Sequence, residues 1–284
     1  MYGICFPSPD LWALPPLISL LLAAAAIIFS VLVLSLSLKA VNYIRFTAPV
    51  LPVALIVLLA SNRWVSYGLD TSLLMLAANA LCLAILFPTF DRFDTSRQFF
   101  ILATFLSFGS MVEYSFLFMA PVYIVGGIIM KSFRIREFFA LVLGLLAPYW
   151  ILIGFGIVDI QDFRFPETVP LDLRLEQNPD LYTSLISVGL AGFVALLLSV
   201  NNSLAFLHGN SRSRCTHLAV SFTGFACLVL MAVDLDNIFA YCATVYLWCA
   251  FEIYSFLGLR NLKNPWPALC AFLVPFIVLF FFML

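Results

Sequence analysis

The sequence predicts an all-α fold, a polytopic transmembrane helix bundle of about ten spans that forms one integral membrane domain over residues 1–284. Of the 284 residues, 64% are hydrophobic and 10% are charged, and the mean hydropathy is +1.09, which a protein with a water-facing surface does not reach. The charged residues occur in short clusters between long apolar runs. This composition excludes a soluble enzyme, and it excludes a nucleic-acid-binding protein, whose affinity requires a basic face.

Ten apolar runs are long enough, or nearly long enough, to cross a membrane. Lipid offers the backbone no hydrogen-bond partners, so each crossing has to be a helix, and about 17–25 residues span a core about 30 Å thick. The second and fourth runs are short, so each is either a full span or a half-helix or re-entrant segment, and residues 98–130 are either two spans or one hairpin bent at Glu113. The predicted spans are 15–38, 46–61, 71–88, 98–112, 114–130, 138–158, 182–207, 218–233, 237–258 and 266–284.

The charges between the runs predict the orientation of the bundle. Lys and Arg in short loops stay on the cytoplasmic side, and with an external N-terminus every cytoplasmic loop is basic while no external loop is. The unbroken alternation supports ten crossings with both termini outside. The basic residues assigned to the cytoplasmic loops are Lys39, Arg45, Arg92, Arg97, Lys131, Arg134, Arg136, Arg212, Arg214, Arg260 and Lys263.

The longest external segment, residues 159–181, is predicted to form a short extended flap on the outer face. Residues 171–176 read Leu-Asp-Leu-Arg-Leu-Glu, the strict alternation of an extended strand. Two interpretations are open: the flap is a lid over an outward-facing site, or it is an interfacial connector.

Four acidic residues at the outer ends of the helices are the candidate catalytic residues: Glu113, Asp70, Asp234 and Asp236. In a compact bundle they converge on one face, where carboxylates suit a general base, a cation or a polar headgroup. Asp70 and Asp236 each precede a helix, so the alternative is that they cap backbone N–H groups. Glu113 lies at a tight turn in a long apolar stretch and has no evident structural role.

No cofactor and no metal are expected. The seven cysteines include no CxxC pair, the two histidines, His208 and His217, lie nine residues apart without a third ligand, and the sequence contains no nucleotide-binding loop and no serine-hydrolase or zinc-protease motif. Glu252, near the inner end of the ninth run, is interpreted as a snorkelling or ion-paired surface acid.

The region from Val41 to Trp150 carries a resemblance. Asp70 opens a helix that ends in Asp91-Arg92, and a basic loop ending in Arg134-Ile135-Arg136-Glu137 is followed by Gly144-Leu145-Leu146-Ala147-Pro148-Tyr149. This order resembles a family of uncharacterised bacterial multi-pass inner-membrane proteins. More distantly, it is similar to the helical core of the GT-C glycosyltransferases, which use polyprenyl-phosphate sugars. The resemblance implies the bacterial inner membrane, the cell envelope and membrane lipids as surroundings.

Three functions remain open on this evidence. A non-catalytic envelope membrane subunit, which binds other envelope proteins through its helix faces, needs nothing beyond the observed features and is the preferred interpretation. The alternative is a GT-C-like enzyme that acts on a polyprenyl-phosphate-linked envelope precursor at the outer face. The second alternative is a small-solute transporter, which the nearly apolar mid-span positions disfavour.

Overall fold

The structure is a computed structural model that describes residues 15–44, 49–62, 69–157, 180–207, 209–260 and 264–282. Within these residues it is all-α, with ten α-helices and no strand. Three short 3-10 helices, Phe87–Thr89, Tyr114–Phe116 and Leu235–Asn237, lie between them. The helices are α1 (Pro16–Ala40), α2 (Val50–Ala60), α3 (Thr71–Leu86), α4 (Ser96–Val112), α5 (Met119–Ile129), α6 (Ile135–Gly154), α7 (Asp180–Phe206), α8 (Ser211–Val233), α9 (Ile238–Leu259) and α10 (Trp266–Phe282).

The ten helices follow the ten predicted apolar runs one for one, which confirms the all-α fold. Full crossings are confirmed only in part, because six helices in the described residues combine a length of at least 18 residues with the hydropathy of a membrane span. Helices α2 and α5 have 11 residues each and are about 16 Å long, roughly half the thickness of a hydrocarbon core. Most of the predicted flap, residues 159–181, lies outside the described part of the chain, and its last two residues begin α7. The orientation in the membrane stays a prediction.

Helix α9 is the centre of the bundle. Every residue from Ile238 to Ser255 is buried, and α2, α3, α7 and α8 pack around it. Gly224 on α8 permits a close approach to α9, because a Cβ there would overlap the indole of Trp248. In contrast, only 17% of the apolar stretch of α1 and 22% of that of α6 are buried, so these two helices form the periphery that faces lipid.

The most extensive helix contact joins α4 to α6. Gly144 allows it, since a Cβ at this position would collide with the backbone of Phe100. Pro148 lacks the N–H that would bond the Gly144 carbonyl, and Thr104 Oγ1 lies 3.4 Å from that oxygen. A hydroxyl from the neighbouring helix thus approaches the backbone group that proline leaves unbonded. The pair carries Glu113 at the end of α4 and Glu137 near the start of α6.

Candidate functional site

Glu113 terminates α4 at the end of the bundle that the charge pattern predicts to be external. Its backbone is extended (φ −144°, ψ 118°), and its N–H donates to the Gly109 carbonyl at 2.9 Å. The side chain is fully buried. Ser115 Oγ, at 3.4 Å, donates to one carboxylate oxygen, Oε1. The other, Oε2, is buried and has no hydrogen-bond partner among the described residues.

This environment raises the pKa of the Glu113 carboxyl from 4.5 to about 7. Burial is the main cause, because it disfavours the ionised form. The charges of Asp70 and Asp234 raise the pKa further, while the hydrogen bond from Ser115 lowers it. Near neutral pH the residue is therefore present in both protonation states and can exchange a proton.

Asp234 is held in place by hydrogen bonds. The Tyr114 hydroxyl donates to Oδ1 at 3.0 Å and the Tyr241 hydroxyl donates to Oδ2 at 3.1 Å. Asn237 Nδ2 lies 3.3 Å from both oxygens. The carboxylate thus joins the turn after α4 to the first turn of α9, and it has a structural role in addition to its charge.

Asp70 is the N-cap of α3, where Oδ1 accepts from the backbone N–H of Thr71 at 2.8 Å. Its electrostatic effect on Glu113, together with that of Asp234, shows that the structure brings three of the four predicted acids to one end of the bundle. Asp236 belongs to the 3-10 helix Leu235–Asn237, and its side chain lies outside the described part.

Glu252 is the main correction to the sequence analysis. It is fully buried, so its interpretation as a surface acid is wrong. The physical reason is the central position of α9, which gives this residue no face toward lipid or water. Oε2 accepts from Asn202 Nδ2 at 2.7 Å and faces His217 Nε2 at 3.0 Å. Oε1 accepts from Ser221 Oγ and from Trp248 Nε1.

His217 completes this buried cluster. Its side chain is fully buried, and its ring packs at a tilt between Phe206 and Phe251, with centroids 5.0 and 6.0 Å away. Because Nε2 faces a carboxylate, the proton of the neutral ring belongs on Nε2. Nδ1 is buried and has no hydrogen-bond partner in the described structure, and the same holds for Asn202 Oδ1.

The buried acid is part of a polar stripe that follows one side of α9. The spacing of three and four residues brings successive members onto one helix face. This spacing could have revealed the stripe in the sequence, whereas the mean hydropathy of the run could not. Asn79 Nδ2 donates to Thr244 Oγ1 at 2.9 Å, and the Tyr43 hydroxyl lies 2.9 Å from Ser255 Oγ. The members of the stripe are Tyr241, Thr244, Trp248, Glu252 and Ser255.

The described residues contain no group of three or more His, Cys, Asp or Glu side chains that could hold a metal ion. Comparison with protein-family models, with curated proteins and with solved structures gives no match to this chain. Its classification therefore follows from its own helices, six of which are long and apolar enough to cross a membrane. The chain is an integral, multi-pass helical membrane protein.

Proposed function

We propose that this protein acts at the outer face of a bacterial inner membrane, on the polar head of a lipid-linked envelope precursor, with Glu113 as the proton-exchanging group. The observation that carries the proposal is the fully buried Glu113 carboxyl, which interacts with the charges of Asp70 and Asp234 and whose Oε2 has no hydrogen-bond partner among the described residues. A carboxyl group that is desolvated, sparsely bonded and beside two other acids is typical of active sites. Asp70, Asp234 and Asp236 are proposed as the remaining residues of the site.

The pKa of about 7 suits general base catalysis, because the ideal base is half ionised near the working pH. In a glycosyl transfer, Glu113 takes the proton of the acceptor hydroxyl as that oxygen bonds to the anomeric carbon of the donor sugar. The bond from this carbon to the phosphate oxygen breaks, and the polyprenyl phosphate leaves with the electron pair. Asp70 and Asp234 support this role by keeping the proton affinity of Glu113 high.

Glu113→Gln tests the proposal, since it preserves the volume and removes the proton-accepting carboxylate. We expect normal protein abundance together with an altered pool of lipid-linked envelope intermediates, as in a deletion strain. Glu137→Gln is the matched control. Glu137 is also buried, also has a single serine contact at 3.4 Å and also has a buried Oε2 without a partner. A wild-type pool in Glu113→Gln cells would refute the enzymatic proposal.

A second candidate is the non-catalytic envelope membrane subunit, and the outward face of α6 favours it. Large apolar side chains continue along this helix at a spacing of three and four residues, and each is exposed. Such a row can interdigitate with another membrane helix by van der Waals packing, because lipid removes the hydrophobic driving force for helix association. The row consists of Phe139, Leu143, Leu146 and Trp150.

Replacement of Leu143 and Leu146 by alanine distinguishes the two functions. An assembly subunit should lose a co-purifying membrane protein while the lipid-linked intermediates stay unchanged. Alanine substitutions at two exposed residues of another helix should change neither measurement. Val200 and Leu204, which are exposed on α7, provide the matched control pair.

A further inference from the structure

We infer that the buried pair of His217 and Glu252 is a proton-binding site within the membrane bundle, which exchanges its proton with the inner side through Ser255 and Tyr43. This inference goes beyond the proposed function, because it involves a different site at the opposite end of α9. It rests on the geometry of the pair, on the unpartnered ring nitrogen and on the hydrogen bond between Ser255 and Tyr43, which lies one helical turn from Glu252.

The charge of the pair gives it an affinity for one proton. His217 Nε2 and Glu252 Oε2 are 3.0 Å apart and both side chains are fully buried. With a neutral imidazole and an ionised carboxyl, the pair carries one net negative charge in a medium where uncompensated charge is costly. One added proton, on His217 Nδ1 or on the carboxylate, makes the pair neutral overall.

A purely structural role in joining helices does not explain why a histidine and a glutamate occupy these two positions. Asn202, Ser221 and Trp248 already supply neutral donors to Glu252, and a glutamine would join the helices without a buried charge. Histidine is instead the side chain whose charge changes near neutral pH. Its Nδ1 is buried without a partner in the described structure, so an acceptor for the additional proton is present.

The other ionisable groups around the pair are mostly tyrosines and cysteines, and the described residues contain no second histidine. Tyr43 and Cys249 interact electrostatically with Glu252. Helix α2 contains no ionisable side chain, and α3 contains only Cys82. Helix α9 itself also carries Tyr241, Cys242, Tyr246 and Tyr254, the last of which is beside Tyr43. The rest are Arg212, Arg214 and Cys215 near the start of α8, Cys227 farther along α8, Asp180 and Tyr182 at the far end of α7, Arg260 after α9 and Cys270 on α10.

The hydroxyl groups near Glu252 lead toward the predicted cytoplasmic end. Ser255 follows Glu252 by three residues, about one helical turn, and its Oγ lies 2.9 Å from the Tyr43 hydroxyl. The Tyr43 carbonyl accepts from Ser213 Oγ at 3.1 Å, and Ser213 lies in the first turn of α8. Toward the opposite end, the indole of Trp248 packs against Gly224. An indole N–H donates but cannot accept, so it interrupts proton transfer in that direction.

Trp248 offers a direct measurement, because its N–H donates to the carboxylate at 3.0 Å. A variant of this chain with Trp12, Trp64, Trp150 and Trp266 changed to Phe retains Trp248 as its sole tryptophan. We expect its fluorescence in detergent to show one reversible pH transition. Glu252→Gln should abolish this transition, and Glu137→Gln, which removes a buried carboxyl elsewhere, should leave it intact.

A second measurement leaves the cluster unaltered and so does not depend on the folding of a Glu252 variant. His208→Asn makes His217 the only histidine of the chain, and ¹⁵N labelling of its ring reports the protonation of both nitrogens by NMR. We expect protonation of the pair to shift the resonances of this ring with pH. An unchanged spectrum together with invariant Trp248 fluorescence between about pH 4 and 9, which brackets the ordinary pKa values of Glu and His, would overturn the inference.

Tyr43→Phe tests the route separately from the site. It removes the hydroxyl that bonds Ser255 and keeps the ring that packs on Phe206 and Phe251. After a pH jump, we expect the Trp248 signal to relax more slowly in this variant with an unchanged midpoint. An unchanged relaxation rate would contradict the assignment of Tyr43 to the route.

Discussion

Glu113 and Glu137 have matching burial and hydrogen bonding at opposite ends of the α4–α6 pair. Each is buried, each has one serine hydroxyl 3.4 Å from Oε1, and each has a buried Oε2 without a hydrogen-bond partner in the described structure. They differ in the backbone around them. Glu137 lies in the first turn of α6, where free N–H groups and the helix dipole favour a negative charge. Glu113 lies beyond the C-terminus of α4, where the dipole opposes a negative charge.

This difference predicts how stability depends on pH. The pKa of Glu113 is raised in the folded protein, from 4.5 to about 7, so the folded state binds more protons than the unfolded state between these values. Stability therefore falls as the pH rises through this window. Above it, Glu113→Gln should be more stable than the wild type by about 3 kcal/mol, and below about pH 4 the two should agree. Thermal unfolding in detergent at pH 4 to 8 measures the effect.

The influence of Asp234 on Glu113 gives a prediction with a defined sign. Asp234→Asn removes a negative charge near Glu113, so the pKa of Glu113 should decrease. The loss of stability should begin at the same pH, near the pKa of the unfolded state, but it should be smaller and should end at lower pH. The substitution should also destabilise the protein by about 1–3 kcal/mol, because an amide nitrogen replaces an acceptor of the Tyr114 or Tyr241 hydroxyl. Asp94→Asn, at the opposite end, is the control and should leave the pH profile unchanged.

The packing around Trp248 predicts opposite outcomes for two glycines. Gly224→Ala should destabilise the protein by about 1–3 kcal/mol, since the new methyl group would overlap the indole. Gly189→Ala, on α7, has no atom within 4 Å of the added Cβ and should be neutral or stabilising by up to about 1 kcal/mol. Equal effects at the two positions, measured by thermal unfolding, would disprove this packing.

The predicted orientation can be tested with cysteines at exposed positions. Native Cys215 is buried and would resist labelling on either side of the membrane. In a variant without native cysteines, Leu235→Cys should react with a membrane-impermeant maleimide in intact cells. Asp94→Cys should react only after permeabilisation. Both positions are exposed, so the reverse result would invert the topology.

The sequence predicts the positions of the helices better than it predicts which helices and side chains pack together. All ten apolar runs are helical, but α8 begins at Ser211 instead of 218, because a polar first turn capped by Asn210 is not an apolar signal. The fully buried position of Glu252 could not be derived from hydropathy, since lipid and the bundle interior are equally apolar environments. Glu113 was identifiable because a charge at a turn between apolar runs is conspicuous, whereas its hydrogen-bond partners depend on the packing of distant helices.

The enclosure of α9 has a consequence for biogenesis. Its mean hydropathy of 1.4 is the lowest among the six long apolar helices of the described residues, and its polar stripe would be poorly tolerated by acyl chains. All four helices that surround it, α2, α3, α7 and α8, precede it in the chain. These four helices are therefore synthesised before α9. Helix α9 can leave the translocon directly into a groove that they have already formed. A circular permutation that placed α9 first would deprive it of this groove and should lower the yield of inserted protein.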